Sequence, residues 1–359
     1  MVFVSLISTA PVFSDSGISY GPYIQHVDAK RATILLKTDS AIIVTLQYKK
    51  SGSEKWKKIA ETSNTTDHRF RLLGLEKNTE YEYYLSSILG DLTQKYFFTT
   101  NHDIVKNNPL NITAVGDFSL LNANQLQIVS QMQRIKPDIL LGLGDCAYNS
   151  GTLQEFDDNF LSPYQPLIAE APMYATMGNH DYLTENGGPY KTVFEFPVKS
   201  SATEDYYVEN YDTAQIFSLN GNIDYSAGSA QYNWFQSALA SSDKKWKIVM
   251  IHQPPYSSGS HGSTSNMEDS LIPLFDQYQV DLVLSGHDHG YERSQDSSGV
   301  TYIVSGGGGS PLYSLSNTNL FSQYYLATYN FVNIKIYSKK IITQAIDETG
   351  YIFDQYTIK

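Results

Sequence analysis

The sequence predicts an α/β chain of two folded parts in series, a small N-terminal β-sandwich and a larger domain of two packed sheets flanked by helices. Three observations carry this. From about Tyr20 to Thr100, short segments of strand character follow one another with turn residues between them and no helical periodicity. From Ile112 onward, apolar runs alternate with segments of helical spacing, the order that builds layered α/β folds. Within that second part, five segments end a predicted strand in side chains that bind metals.

The first part is read from five strands: Ala32 to Thr38, Ile42 to Tyr48, Arg69 to Leu73, Glu80 to Leu85 and Gln94 to Thr100. Arg69 to Leu73 alternates polar and apolar residues, as a half-buried strand does. Turn-forming stretches such as Lys49-Lys50-Ser51-Gly52 separate the strands, giving a sandwich over residues 18–100. A polar connector spans 101–109, and the second domain is expected over 110–359. There, Ile112 to Val115 is a strand. Leu126, Ile128, Val129, Met132 and Ile135 then mark a helix from Asn122 to Ile135, stopped by Pro137. Asp138 to Leu143 is almost wholly apolar, as a strand covered on both faces must be. Strand and helix continue to alternate through Met173–Met177, Ala230–Leu239, Trp246–Ile251, Met267–Tyr278 and Leu282–Leu284. Three strands close the chain at 299–304, 327–337 and 340–347, and Gly306 to Gly309 is a loop where backbone comes close to something.

Composition narrows the function. The chain has 359 residues and a formal net charge of −12, so a nucleic-acid partner, which needs a basic patch, is not expected. An anionic substrate then needs local positive charge, which bound metal ions supply. The single cysteine, Cys146, allows no intrachain disulfide and is read as packing inward. No apolar run is long enough to span a bilayer. Residues 1–17 look like a shortened leader. The many Tyr, Ser and Asn and few Lys and Arg of the whole chain lean toward an extracytoplasmic or secreted protein.

The five segments are Gly116-Asp117-Phe118-Ser119, Gly144-Asp145-Cys146-Ala147-Tyr148, Gly178-Asn179-His180-Asp181, Val249-Met250-Ile251-His252 and Gly286-His287-Asp288-His289. Open α/β sheets bind ligands beyond the C-terminal ends of their strands, so all five point to one crevice. The glycine in four of them is expected to permit a tight turn. Carboxylate and phenolate oxygens suit hard cations and imidazoles borderline ones; together the segments offer donors for two adjacent ions. Asp145, with two carboxylate oxygens, is able to bridge such a pair. Two ions about 3.5–4 Å apart clamp a phosphoryl group, so the pattern points to phosphoester hydrolysis. Any one segment alone is weak evidence; all five in order at strand ends are not. Five of the eight histidines fall in or just after them, while His26, His68 and His102 are expected at the surface.

These segments resemble the calcineurin-like metallophosphoesterases, and more narrowly the purple acid phosphatases. Ser119 stands where the wider superfamily has a histidine, and Tyr148 follows the second aspartate by three residues, as in the narrower family. Gly286-His287-Asp288-His289-Gly290-Tyr291-Glu292-Arg293-Ser294 is similar to its last motif. The sandwich, with Gly21-Pro22-Tyr23-Ile24-Gln25 near its start and the corner at Leu72 to Tyr84, resembles a fibronectin type III domain.

The resemblance implies a four-layer α/β/β/α catalytic domain. It places Asp117, Tyr148 and His289 on a first metal, Asp145 as bridge, and Asn179, His252 and His287 on a second. The first ion would be Fe(III), with the Tyr148 phenolate giving charge-transfer colour, and the second Fe(II), Zn(II) or Mn(II). His180 would contact the substrate and protonate the leaving alkoxide, and His261 would bind phosphate. Asp181, where plant members carry Glu, would support its neighbour. The implied reaction is acid hydrolysis of a small phosphomonoester by a metal-bound hydroxide. A phosphodiesterase or nucleotidase on the same site, and a binding or adhesion protein with an inert phosphatase fold, are the competing readings.

Overall fold

The C-terminal ends of the parallel strands at the centre of two large sheets meet along one edge, and this edge organises the chain. The computed structural model describes residues 17–118 and 121–359. The leader expected over 1–17 lies, but for Gly17, outside them, and so does Ser119.

The N-terminal part is two facing sheets. One has the order Ile18–Gln25, Arg31–Ile42, Thr65–Leu73. The other runs Lys57–Ala60, Thr45–Lys50, Glu80–Ser87, Gly90–Asp91, with Tyr96–Thr99 also pairing to Glu80–Ser87. Alternate side chains face inward, so Ile34, Leu36, Leu46, Tyr83, Leu85 and Phe98 form one buried core. Tyr81 lies under the preceding turn, its hydroxyl accepting the Glu76 N–H at 2.9 Å. Two expectations need correction. Ile42 closes the preceding strand, and the next begins at Thr45. His68 is buried, between Thr38 and Glu61 at 2.8 Å each, and the His102 ring is largely covered beside Asp138; each ring has a polar partner that makes burial affordable. The sandwich joins the second part through polar side chains as well as apolar ones. Tyr23 donates to the Val193 carbonyl at 3.0 Å, Tyr83 to Ala169 at 2.7 Å and Gln25 to Met173 at 3.2 Å.

The second part has a six-stranded sheet ordered Met173–Ala175, Ile139–Gly142, Leu110–Val115, Asn330–Ile336, Ile341–Asp347, Ile352–Ile358. Its first three strands are parallel. The seven-stranded sheet runs Tyr207–Tyr211, Ala214–Ser218, Trp246–Met250, Leu282–Ser285, Thr301–Ser305, Tyr291–Gln295, Ser322–Leu326, with the second to fifth strands parallel. Ile112, Leu141, Ile216, Ile248, Leu284 and Phe331 belong to one continuous buried core, and Tyr174 of the first sheet meets Tyr207 of the second with ring centroids 6.5 Å apart. On the outer faces, helix Ala123–Ile135 covers the first sheet with Ile128, Val129 and Met132. Phe235, Leu239 and Phe275 of helices Ala230–Ala240 and Leu271–Gln277 cover the second. This is the expected four-layer arrangement. Asn122 caps its helix by accepting the Gln125 N–H at 3.0 Å. The helix read from Met267 starts only at Leu271, because Ser265–Met267 winds as a separate 3-10 turn.

Candidate metal centre

All five segments follow the C-terminal end of a strand: Leu110–Val115, Ile139–Gly142, Met173–Ala175, Trp246–Met250 and Leu282–Ser285. The Gly116 N–H donates to the Ser305 carbonyl at 2.9 Å, joining the two sheets at this edge. The segments thereby converge. Asp117 is fully buried and Asp145 is 1% exposed. Asp117, Asp145 and His252 each place a donor atom within 4.8 Å of the others.

The tight turns form by a different route from the expected one. Of the four glycines, only Gly144 has a positive φ, +91°. After Gly116 and Gly286 the next residue carries the left-handed backbone instead, Asp117 at 56° and His287 at 71°, and Asp145 at 53° follows Gly144 into the same region. Non-glycine residues in this region are uncommon and cluster at functional sites. The glycines are needed for close approach. A Cβ on Gly178 would lie 2.0 Å from Asp145 Oδ1, one on Gly286 2.5 Å from Asp117 Oδ2, and one on Gly144 2.3 Å from His252 Nδ1. The Gly306–Gly309 loop approaches the same carboxylate, since a Cβ on Gly306 would lie 2.8 Å from Asp117 Oδ2.

Tyr148 Oη stands 2.9 Å from Asp117 Oδ1, 2.9 Å from Asp145 Oδ2 and 3.2 Å from His289 Nε2. His289 Nε2 is 3.4 Å from Asp117. On the other side of Asp145, His252 Nε2 lies 3.3 Å from Oδ2 and 3.1 Å from Asn179 Oδ1. His287 turns its ring toward His252, centroids 5.1 Å apart, so the two histidines of the last segment face different sides. His252 Nδ1 meets the Leu143 carbonyl at 2.8 Å and His289 Nδ1 that of Pro311 at 2.7 Å, each leaving Nε2 aimed into the crevice. The seven residues Asp117, Asp145, Tyr148, Asn179, His252, His287 and His289 therefore form one constellation.

Electrostatics fit a cation there. Burial and then the Asp117 and Asp145 charges push the Tyr148 phenol far up, away from phenolate. Burial raises Asp145, but His252 outweighs it and holds the carboxyl low. Burial likewise lowers His252, yet Asp145 brings it up to about 10. His287 falls to about 2, through burial and then His252 and His261. Two buried carboxylates thus share one phenolic hydrogen, and the nearby imidazoles are the other balancing groups. A divalent or trivalent ion would satisfy these acceptors and reverse the pressure on Tyr148.

His180 holds its Nδ1 2.6 Å from the Asn149 carbonyl, packs its ring 4.4 Å from Tyr148 and keeps Nε2 4.0 Å from Asp145 Oδ2. It is partly exposed at the mouth. His261 is exposed; its ring stacks on His287 at 4.2 Å and its N–H donates to Asp288 at 2.9 Å. Asp181 is fully buried and accepts three backbone N–H groups, from Cys146, Ala147 and Gly178 at 2.8 to 3.0 Å. It braces the Asp145 and Asn179 turns. Cys146 is buried, as read.

Sequence reasoning missed three elements. Tyr313 stacks on His289 at 4.0 Å and 14°. Glu292 accepts the Ser258 N–H at 2.6 Å and its hydroxyl at 2.7 Å, tying the loop that carries His261 to the last segment. Asn222 donates to the Gly178 carbonyl at 3.1 Å. The Glu292 position was visible inside the quoted motif; Tyr313 and Asn222 sit in loops without pattern.

The calcineurin-like phosphoesterase profile matches residues 110–291. Purple acid phosphatase 1 of Ipomoea batatas is 28% identical over 256 residues, 66% of this chain and 54% of that one. Probable inactive purple acid phosphatase 1 of Arabidopsis thaliana is 26% identical over 291 residues, 68% and 46%. The chain spans about half the length of these curated relatives. In fold, it is similar to the purple acid phosphatase PPD1 of Lupinus luteus, with a TM-score of 0.80 at 20% identity over 94% of this chain and 74% of the other. The profile covers half of the chain, and its span holds every segment of the constellation: the chain belongs to the calcineurin-like phosphoesterase family.

Proposed function

We propose that this chain is a purple acid phosphatase that hydrolyses phosphate monoesters at a dinuclear metal centre. The observation that carries the reading is the placement of Asp145 Oδ2, 2.9 Å from the Tyr148 hydroxyl and 3.3 Å from His252 Nε2, between two clusters of donor groups. Asp117, Tyr148 and His289 would hold the first ion, Asp145 both, and Asn179, His252 and His287 the second. Fe(III) suits the phenolate-bearing side; Fe(II), Zn(II) or Mn(II) suits the amide and imidazole side. When bound, the two ions supply Lewis acidity and a water acidic enough to be deprotonated near neutrality.

The chain's own residues do the rest. Asp181 and the Gly178 turn hold Asp145 and Asn179 in register. The Leu143 and Pro311 carbonyls fix the His252 and His289 rings. Asn149 holds Nδ1 of His180, so Nε2 is the atom free to donate a proton to the leaving oxygen. His261 would contact a phosphoryl oxygen at the mouth. The N-terminal sandwich, proposed as fibronectin type III-like over 18–100, braces the catalytic domain at 110–359 across a short linker. An extracytoplasmic location accords with the composition.

Several relatives from Arabidopsis thaliana are described as probable inactive purple acid phosphatases, which makes an inert phosphatase fold the second reading. The full set of donors together with His180 argues for activity. Rates on a nitrophenyl monoester and on its bis-ester, with metal-loaded protein, test the proposal. Faster monoester hydrolysis supports it, bis-ester preference turns it to a phosphodiesterase, and no hydrolysis of either supports the inert reading.

A further inference from the structure

The loops that surround the centre contain no lysine and no arginine. They are residues 116–118, 121–122, 143–152, 176–190, 219–229, 251–270, 286–290 and 306–321, each following a strand whose end lies on the site edge. The chain has 25 Lys and Arg in 359 residues, so stretches of this combined length would ordinarily hold several. The loops form one rim: Thr184 donates to the Ser150 carbonyl at 2.7 Å, and Asn222 to Gly178 at 3.1 Å. The Ser316 N–H reaches Ser258 at 3.1 Å, and the Tyr313 N–H reaches His289 at 2.9 Å. The cations that flank them in sequence are committed elsewhere. Lys191 pairs with Asp205 and Arg293 with Asp354, both at 2.7 Å. The loops do carry exposed or partly exposed acids, Glu185 and Asp224, and uncharged surface at Tyr313, Leu315 and Leu320, the last 90% exposed.

No lysine or arginine of these loops therefore supplies positive charge at this mouth, which leaves bound ions as its source, and they would act on a single phosphoryl group. A second phosphate on the same substrate would meet no guanidinium or ammonium partner, the groups that recognise phosphate strongly. It would face the acidic rim instead. We infer that the site selects substrates with one phosphoryl group and an uncharged alcohol portion, and discriminates against polyphosphorylated ones. This rests on the phosphomonoesterase reading above and narrows it.

The test compares kcat/KM for phenyl phosphate and glycerol 3-phosphate with that for inositol hexakisphosphate and ATP, on the metal-loaded full chain. The polyanions should be slower by at least roughly tenfold, and their kcat/KM should rise with added salt, because salt screens repulsion. Leu315→Lys should raise the ratio of polyanion to monophosphate kcat/KM severalfold. Equal or faster polyanion hydrolysis that falls with salt overturns the inference while leaving the phosphomonoesterase reading intact. If no ester is hydrolysed, that reading fails, and binding still decides the inference. Inositol hexasulfate, which cannot turn over, should leave the Tm of the metal-loaded protein unmoved; a shift larger than that from inorganic phosphate overturns it.

Discussion

Tyr148 Oη lies 2.9 Å from Asp117 Oδ1, although the two residues are 31 positions apart and follow different strands. The same hydroxyl lies 2.9 Å from Asp145 Oδ2. One hydrogen serves two buried carboxylates, an arrangement that a cation completes and that an apolar or neutral core would not retain.

Replacing Tyr148 with Phe should abolish the visible absorption that the proposed Tyr148 phenolate on Fe(III) would give, while the protein stays folded. Optical spectra of parent and variant at matched iron content check this. An unchanged visible band would remove Tyr148 from the first site.

His180 is partly exposed at the mouth, with Nδ1 held by the Asn149 carbonyl at 2.6 Å, and its Nε2 is placed for proton transfer. His180→Ala should lower kcat by about 10²–10⁴-fold, the usual contribution of a positioned acid, with metal content unchanged. The loss should be smaller for esters with acidic leaving groups such as nitrophenol, which need less help from an acid. Loss of metal in the variant would assign His180 a holding role instead.

Gly178 is the tightest approach in the site. Gly178→Ala would drive a methyl onto Asp145 Oδ1, 2.0 Å away, and displace the carboxylate proposed to bridge the ions. Metal affinity should fall by more than the ~10–100-fold typical of changes behind a metal ligand. A variant that keeps parental affinity, measured by competition with a chelator, would show that Asp145 does not hold the ions.

Much of this site was legible because its residues sit at strand ends, where a near-continuous apolar run followed by glycine announces both the strand and the turn. Asp-x-x-Tyr at 145–148 singled out Tyr148, whose hydroxyl the fold brings to 2.9 Å from Asp145 Oδ2. The backbone conformations were not legible: sequence suggests glycine for the left-handed positions, and the chain puts Asp117, Asp145 and His287 there. Interactions across the sheets were equally hidden. Tyr313 reaches His289 only because the 306–321 loop folds back over the edge, and His68 is buried only because Glu61 and Thr38 flank it in space. Strands at sheet margins, such as Tyr207–Tyr211 and Ser322–Leu326, lack the apolar runs of central strands and escaped notice.

Glu209, partly buried in the cleft between the sandwich and the second domain beside Tyr174, offers a pH test away from the centre. Burial pushes its carboxyl up to about 8; Asp28 adds to the rise, and the Asn210 N–H and Arg31 oppose it. In the unfolded chain Glu ionises near 4.3, so between that pH and about 8 the unfolded state holds fewer protons and stability drains as pH rises. Glu209→Gln should match the parent below pH ~4 and exceed it progressively toward pH 8, by on the order of 2–4 kcal/mol allowing for partial exposure. Denaturant unfolding across this range checks it, and a difference independent of pH would refute the assignment.

The central claim is a dinuclear centre bridged by Asp145, and metal stoichiometry tests it most directly. Elemental analysis of the purified 359-residue chain, loaded and then dialysed, should find two metal ions per chain, one of them iron, falling below one in Asp145→Asn. A parent protein that retains no metal, or an Asp145→Asn variant that retains both ions, would contradict it.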